Sequence, residues 1–199
     1  MTVNNAEWAP FHVGMIVHDL EQVTAAYGRV LGVPAWTHFD VAFPAMPWDA
    51  GTTDSRLRAA IGKGGGMTFE VIQVVEGVCV QGRWLAQHGE GMHHLGFWVP
   101  DLRTAVEQAV ADGAGIEWAS LRADGAGVAQ LRPGSGTGDI LPALGDRMAY
   151  MGMATGGVTF ELCAQPHWDL MQQRTGGDPH RTITPPPWLQ ELGWGSTPS

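Results

Sequence analysis

Two short phrases recur along the chain in the same order, and this repetition limits its possible folds more than any other feature. Residues 12–20 read HVGMIVHDL and residues 94–102 read HLGFWVPDL, with His, Gly, Val, Asp and Leu identical at matching places. Residues 68–71, TFEV, return as TFEL at 159–162. The first pair is separated by 82 residues and the second by 91, so the later copy carries nine extra residues between its phrases. Two echoes in one order at compatible spacing indicate a duplicated module.

Each copy opens the same way. Phe11–Val17 alternates residue types and contains β-branched residues, which predicts a strand. Asp19 then stands at an N-cap before LEQVTAAYGRVLG, where Leu20, Val23, Tyr27 and Leu31 recur at helical spacing and Gly32 ends the helix. In the second copy Asp101 precedes LRTAVEQAVADG, with Leu102, Val106 and Val110 as the stripe and Gly113 as the stop. Irregular and strand-like pieces follow each helix and lead to a final strand with the glutamate. Residues 33–55, rich in Pro, Trp and Asp, are expected to form a long loop, and residues 122–146, with RPGSGTGD, a second one. The expected organisation is an N-terminal extension over 1–9, a first module over 10–90, a second over 91–165, and a tail over 166–199 that packs on the body or on a partner subunit.

Composition removes several classes of function. The net charge is −9 and Lys63 is the only lysine, so the basic stripe that a nucleic-acid binder needs is missing. The same charge disfavours anionic membrane surfaces, and no run approaches the roughly 18 apolar residues of a membrane-spanning helix. The N-terminus MTVNNAEWAPFHV lacks the basic and apolar regions of a secretory signal, and Cys79 and Cys163, both in apolar strand-like runs, read as core thiols of a reducing cytosol. The expected setting is therefore the cytoplasm, and the expected partner a small-molecule substrate. Nine tryptophans, several of them in the tail, are compatible with a homodimer.

The repeated residues include those with chemistry. His12 and His94 hold equivalent places on the first strand of each copy, and Glu70 and Glu161 hold equivalent places on the last, within GMTFEVIQVV and GGVTFELCA. A carboxylate is costly to bury unless it is paired or bound to a metal, and its recurrence with a histidine in both copies favours one shared inward site. Modules packed about an approximate two-fold axis bring these four side chains together. Two imidazoles and two carboxylates suit a borderline or hard divalent ion, with water or substrate oxygen completing the coordination. Without cysteine in the set, an open catalytic site is favoured over a closed structural one.

The motifs FHVGMIVHDL, GEGMHHLGFWVPDL, MTFEVIQ and GGVTFELCAQP resemble the vicinal oxygen chelate superfamily, which includes glyoxalase I, methylmalonyl-CoA epimerase, ring-cleaving dioxygenases and antibiotic-resistance proteins. The paired histidines of GEGMHHLGFWV look nearest to the epimerase branch, and the resemblance covers about residues 10–165. It implies an α+β fold of two tandem βαβββ modules whose mixed sheet forms an open cup with helices outside. It also implies one divalent metal ion (Zn, Ni, Co, Mn, Mg or Fe) on His12, Glu70, His94 and Glu161. His94 rather than His93 is the ligand because it precedes Leu-Gly as His12 precedes Val-Gly. His93 is left with a structural hydrogen bond.

The chemistry that the resemblance implies is lyase, isomerase or epimerase chemistry, by proton transfer beside a metal-chelated carbonyl. Glu70 or Glu161 serves as base, and the symmetry of the repeat does not choose between them. The epimerase branch implies a further glutamate before the first ligand glutamate. DSRLRAAIGKG offers only Asp54 there, which reads as a turn residue. Phe11, Trp36, Phe43, Trp48, Trp98 and Trp118 fit an apolar or aromatic substrate and equally fit a core. One rival is an iron(II) ring-cleaving dioxygenase, for which His12, His94 and Glu161 would suffice and Glu70 would be superfluous. Another is a binding protein without turnover, which needs the cup but not the ligands. Tyr150 is a candidate hydrogen-bond donor to substrate, while His18, His38, His88, His167 and His180 are expected in solvent.

Overall fold

In a computed structural model of the chain, the described residues are 8–154, 157–164, 167 and 169. The strands are β1 (Ala9–Val17), β2 (Trp36–Phe43), β3 (Ser55–Gly64), β4 (Met67–Glu76), β5 (Gly91–Trp98), β6 (Ala114–Leu121), β7 (Leu144–Met153) and β8 (Thr159–Cys163). Helix α1 (Leu20–Val30) follows β1, α2 (Val80–His88) precedes β5, and α3 (Leu102–Ala111) follows β5. All eight strands join one sheet in the order β2-β3-β4-β1-β5-β8-β7-β6. Exchanging β1 with β5, β4 with β8, β3 with β7 and β2 with β6 returns that order reversed. The sequence repeat is thus a spatial repeat about the β1–β5 seam.

That seam is antiparallel, while β1–β4 and β5–β8 are parallel. Parallel neighbours require a long connection, which each half supplies as a helix followed by two strands. Helix α1 lies against β3 and β4, and α3 lies against β6, β7 and β8, all on the outer face. The five identities of the longer echo divide their work clearly. Asp19 and Asp101 cap α1 and α3, accepting from the amides of Gln22 and Thr104. Val17, Val99, Leu20 and Leu102 are buried where strand turns into helix. The histidines and glycines face the inside of the cup and form the site.

Three expectations need correction. Residues 33–55 are not a continuous loop, because Trp36–Phe43 pairs along its length with β3 as the edge strand β2. Phe43 joins the hydrophobic core and Phe39 and Val41 pack against it, which outweighs the loop-like composition around them. Residues 122–146 are partly ordered into short helical turns at Val128–Gln130, Thr137–Ile140 and Leu141–Ala143 before β7 begins. Cys79 caps α2 rather than lying in a strand; Cys163 does lie in a strand, and both thiols are free and buried. The tail expected to pack on the body lies outside the described residues, apart from His167 and Asp169. Among the described residues no helix is long and apolar enough to cross a membrane.

Candidate metal centre

His12, Glu70, His94 and Glu161 meet at the middle of the sheet, each offering one ligand atom, with all four atoms within 4.8 Å of one another. The strand register explains how. His12 on β1 is paired across the seam with Gly96 on β5, and Gly14 is paired with His94. Each imidazole therefore lies over the glycine of the opposite copy. A Cβ built on Gly14 would stand 1.9 Å from the His94 ring, and one on Gly96 would stand 2.7 Å from the His12 ring. The glycine of each His-x-Gly phrase provides the clearance that the other copy's ligand needs. In the parallel pairs Glu70 is level with Gly14 and Glu161 is level with Gly96, so both carboxylates reach the same point.

The donor atoms are close. The Nε2 atoms of His12 and His94 are 2.8 Å apart. Glu161 Oε2 lies 3.0 Å from His12 Nε2 and 3.6 Å from His94 Nε2, and Glu70 Oε2 lies 3.6 and 3.3 Å from the same two atoms. Two donors each about 2.1 Å from one ion, at angles between square and tetrahedral, stand about 3.0–3.4 Å apart. All four residues are buried, and the facing oxygens of both glutamates have no hydrogen-bond partner outside the cluster. Two buried carboxylates and two nitrogen lone pairs aimed at one point repel unless a cation lies between them. The donor set fits a divalent ion of the kind that oxygen and imidazole hold.

Protons register the same pressure. Burial opposes a charge on His12, but the charge and hydrogen bond of Glu161, with Glu70 adding to them, raise its pKa above the usual imidazole value. Burial likewise pushes Glu161 upward, yet His12 and His94 more than reverse it and hold the carboxyl well below the usual range. Tyr150, level with Glu161 on the neighbouring strand, and Cys163, two residues further along the strand of Glu161, stand beside that carboxylate. Burial, and then the charge of Glu161, keep the phenol and the thiol protonated. In the first half the place of Tyr150 is held by Ile61, level with Glu70. Ile61 has no donor to give.

Two spaces adjoin the centre. On the carboxylate side a cavity of about 40 Å³, with walls that include Phe39, Leu57, Ile72 and Met148, touches Glu70, Glu161 and Tyr150. It shares Phe43, Met148 and His167 with a neighbouring hollow of about 230 Å³. On the other side His93 lines a polar pocket of about 380 Å³ with Asp49, Arg83, Gln87 and Glu117. Burial raises the pKa of the Glu117 carboxyl despite the Thr159 hydroxyl that donates to it at 3.2 Å. Burial also lowers His93 to about 3, so it is neutral at physiological pH.

His167 was expected in solvent but lines the cavity beside Glu161, with its ring near Trp98. It lies outside both echoes, and nothing local marks it. Phe43, Trp48, Trp98 and Trp118 are core, and Phe11 stacks on Trp98 at 4.3 Å. Asp54 accepts from the Ala45 amide as a turn residue, so the acid of the epimerase branch has no counterpart there.

A curled mixed sheet of two equivalent halves brings paired His and Glu donors together at its centre, where they could hold a metal ion. The model of the glyoxalase/bleomycin resistance protein/dioxygenase superfamily matches residues 11–129, and the chain belongs to that superfamily. Among solved structures, it is similar to a variant of 4-hydroxymandelate synthase from Streptomyces coelicolor, at 19% identity and a TM-score of 0.52. That match covers 79% of this chain and 49% of the other, so the chain spans about half the synthase's length. It is also similar to methylmalonyl-CoA epimerase from Mycobacterium tuberculosis, at 19% identity and a TM-score of 0.48, covering 78% of this chain and 86% of the other. No curated protein matches the sequence.

Proposed function

We propose that the chain is a metal-dependent lyase, isomerase or epimerase that moves a proton beside a carbonyl of a small, largely apolar oxygenated substrate. The observation that carries this reading is the buried four-donor cluster, whose two facing carboxylate oxygens have no partner outside it. A divalent ion bound there supplies Lewis-acid stabilisation of the oxyanion that develops as the proton leaves. The rest falls to the chain's own residues. The aromatic and aliphatic wall of Phe39, Leu57, Ile72 and Met148 excludes water from the carboxylate side and favours an apolar substrate body.

The two glutamates differ in what surrounds them, which supports Glu70 as the base. Glu161 has His12 Nε2 at 3.0 Å and the Tyr150 side chain on the neighbouring strand beside it, and a donor turned toward it makes its charge more stable and less reactive. Glu70 is level with Ile61 and is freer to swing and accept a proton. Glu161 then stays as the fixed carboxylate, and Tyr150 keeps it in place.

The test begins with elemental analysis of the purified protein, followed by Glu70→Gln and Glu161→Gln. Activity is read as deuterium incorporation beside the carbonyl across a panel of 2-hydroxy ketones, 2-oxo acids and 1,2-dicarbonyls. The wild type should hold about one divalent ion, and Glu161→Gln should lose it. Glu70→Gln should keep most of the metal but exchange ~10²–10⁴-fold more slowly. Unchanged exchange in a metal-loaded Glu70→Gln variant would remove Glu70 as base. A wild type that takes up no divalent ion on reconstitution would overturn the class of chemistry. Oxygen consumption with catechols and bound iron would move the assignment to ring cleavage.

A further inference from the structure

Each ligand histidine is preceded by a residue that the β1–β5 seam throws out of register. The pairing shifts between Pro10 and His12 and again between Gly14 and Met15, where His94 is level with Gly14 and Met92 with Met15. Phe11 and His93 are the extra residues, one in each half, and such bulges re-aim the side chains beside them. They occupy equivalent places but carry different chemistry. The Phe11 ring stands edge-on to His12 at 4.2 Å and offers no acceptor, and Nδ1 of His12 is buried without a hydrogen-bond partner. His93 stands edge-on to His94 at 5.3 Å and brings its Nδ1 to 3.1 Å from the Nδ1 of His94.

We infer that His93 is a positioning residue that accepts the Nδ1 proton of His94, making His94 the stronger and more firmly aimed of the two histidine donors. This rests on the metal reading above. A neutral imidazole that binds through Nε2 carries its proton on Nδ1, and a partner for that proton fixes both tautomer and ring plane. One proton serves the 3.1 Å contact, so His93 presents a bare Nδ1 and keeps its own proton on Nε2. That Nε2 is not buried without a partner, because His93 lines the polar pocket with Gln87 and Glu117. Trp84 and Tyr150 stand edge-on to the His93 ring at 5.3 and 5.8 Å and hold it in this orientation. The two halves have therefore diverged where the metal would sense it: His12 is oriented by packing alone, and His94 by a hydrogen bond.

The test compares zinc affinity, by competition with a chromophoric chelator, in the wild type, His93→Phe and His93→Gln. Far-UV circular dichroism and Tm report folding. His93→Phe installs the residue of the other half and should weaken zinc ~10–100-fold. His93→Gln retains an acceptor and should recover most of that loss. In zinc-loaded wild type with ¹⁵N-labelled histidine, His94 should be protonated at Nδ1 and His93 at Nε2. A folded His93→Phe variant that binds zinc as the wild type does would overturn the inference. So would a loss in His93→Gln as deep as that in His93→Phe, or a protonated His93 Nδ1 in the wild type. Should His93→Phe not fold, the nitrogen spectrum of the wild type decides alone. A wild type that binds no zinc or other divalent ion overturns the metal reading and this inference with it, whereas tight wild-type binding that His93→Phe leaves intact overturns this inference only.

Discussion

Gly14 and Gly96 have no side chain, yet they are as tightly constrained as the ligands they face. Alanine at position 14 would put a methyl group 1.9 Å from the His94 ring, with strand backbone on one side and the buried cluster on the other. The ring must move, and the cluster cannot follow it without breaking its 2.8–3.6 Å separations. Gly14→Ala should therefore lower zinc affinity at least ~100-fold, beyond the loss expected from orienting partners alone. Gly96→Ala, with 2.7 Å of room, should lose less. Isothermal titration with zinc measures both, and wild-type affinity in Gly14→Ala would contradict the clearance role. The histidines, glutamates and glycines were all legible as repeated letters. The work of the glycines was not, because clearance is a relation between strands 82 residues apart and leaves no local trace. The difference between the glutamates was also hidden, since Ile61 and Tyr150 are paired only by register.

At the scale of elements, the capped helices were the easiest to read and the uncapped one the hardest. Asp19 and Asp101 announce α1 and α3, whereas α2 starts at Cys79 with no side-chain cap and contains Gly82. Strand β2 was obscured by the loop residues on either side, because a half-buried edge strand has a weak alternation of its own. The cap yields a pH-dependent prediction. The Thr104 side chain and amide hold the Asp101 carboxyl below its usual pKa, so the bond stabilises the fold above the unfolded value of about 3.9 and fades as pH falls through the lower folded value. Asp101→Ala should cost about 1 kcal/mol at neutral pH, read by urea denaturation. That cost should shrink as pH drops below about 4, and Asp101→Asn, which keeps an acceptor but not the charge, should recover only part of it at neutral pH. A cost independent of pH would show that the charge plays no part.

At the scale of the molecule, the candidate metal centre lies where the two halves meet, and an ion bound there links occupancy to stability. Zinc at 100 times its Kd should stabilise the folded chain by about 2.7 kcal/mol. For a chain of this size that corresponds to a rise in Tm of roughly 5–10 °C. Differential scanning calorimetry with zinc and then with a chelator measures it, and an unchanged Tm would mean that the ion does not bind the folded chain in preference to the unfolded one. The mirror-like strand order also accounts for how much of the fold the sequence disclosed, since two copies of one pattern must pack alike. His167 beside Glu161, by contrast, lies outside the repeated part.

The reciprocal pairing of His12 with Gly96 and Gly14 with His94 has an evolutionary consequence. Two identical copies of one half, on separate chains, would satisfy the same geometry, because each would lend a glycine and borrow a histidine. Such a pair could never tell its two sides apart, and its assembly would depend on concentration. Joining the copies in one polypeptide replaces that dependence with a fixed local concentration of millimolar order. It also releases each copy from having to be its own partner. Phenylalanine could then stand at 11 while histidine stands at 93, and isoleucine at 61 while tyrosine stands at 150. Within one chain the cage need not be symmetric, and it has a left and a right hand.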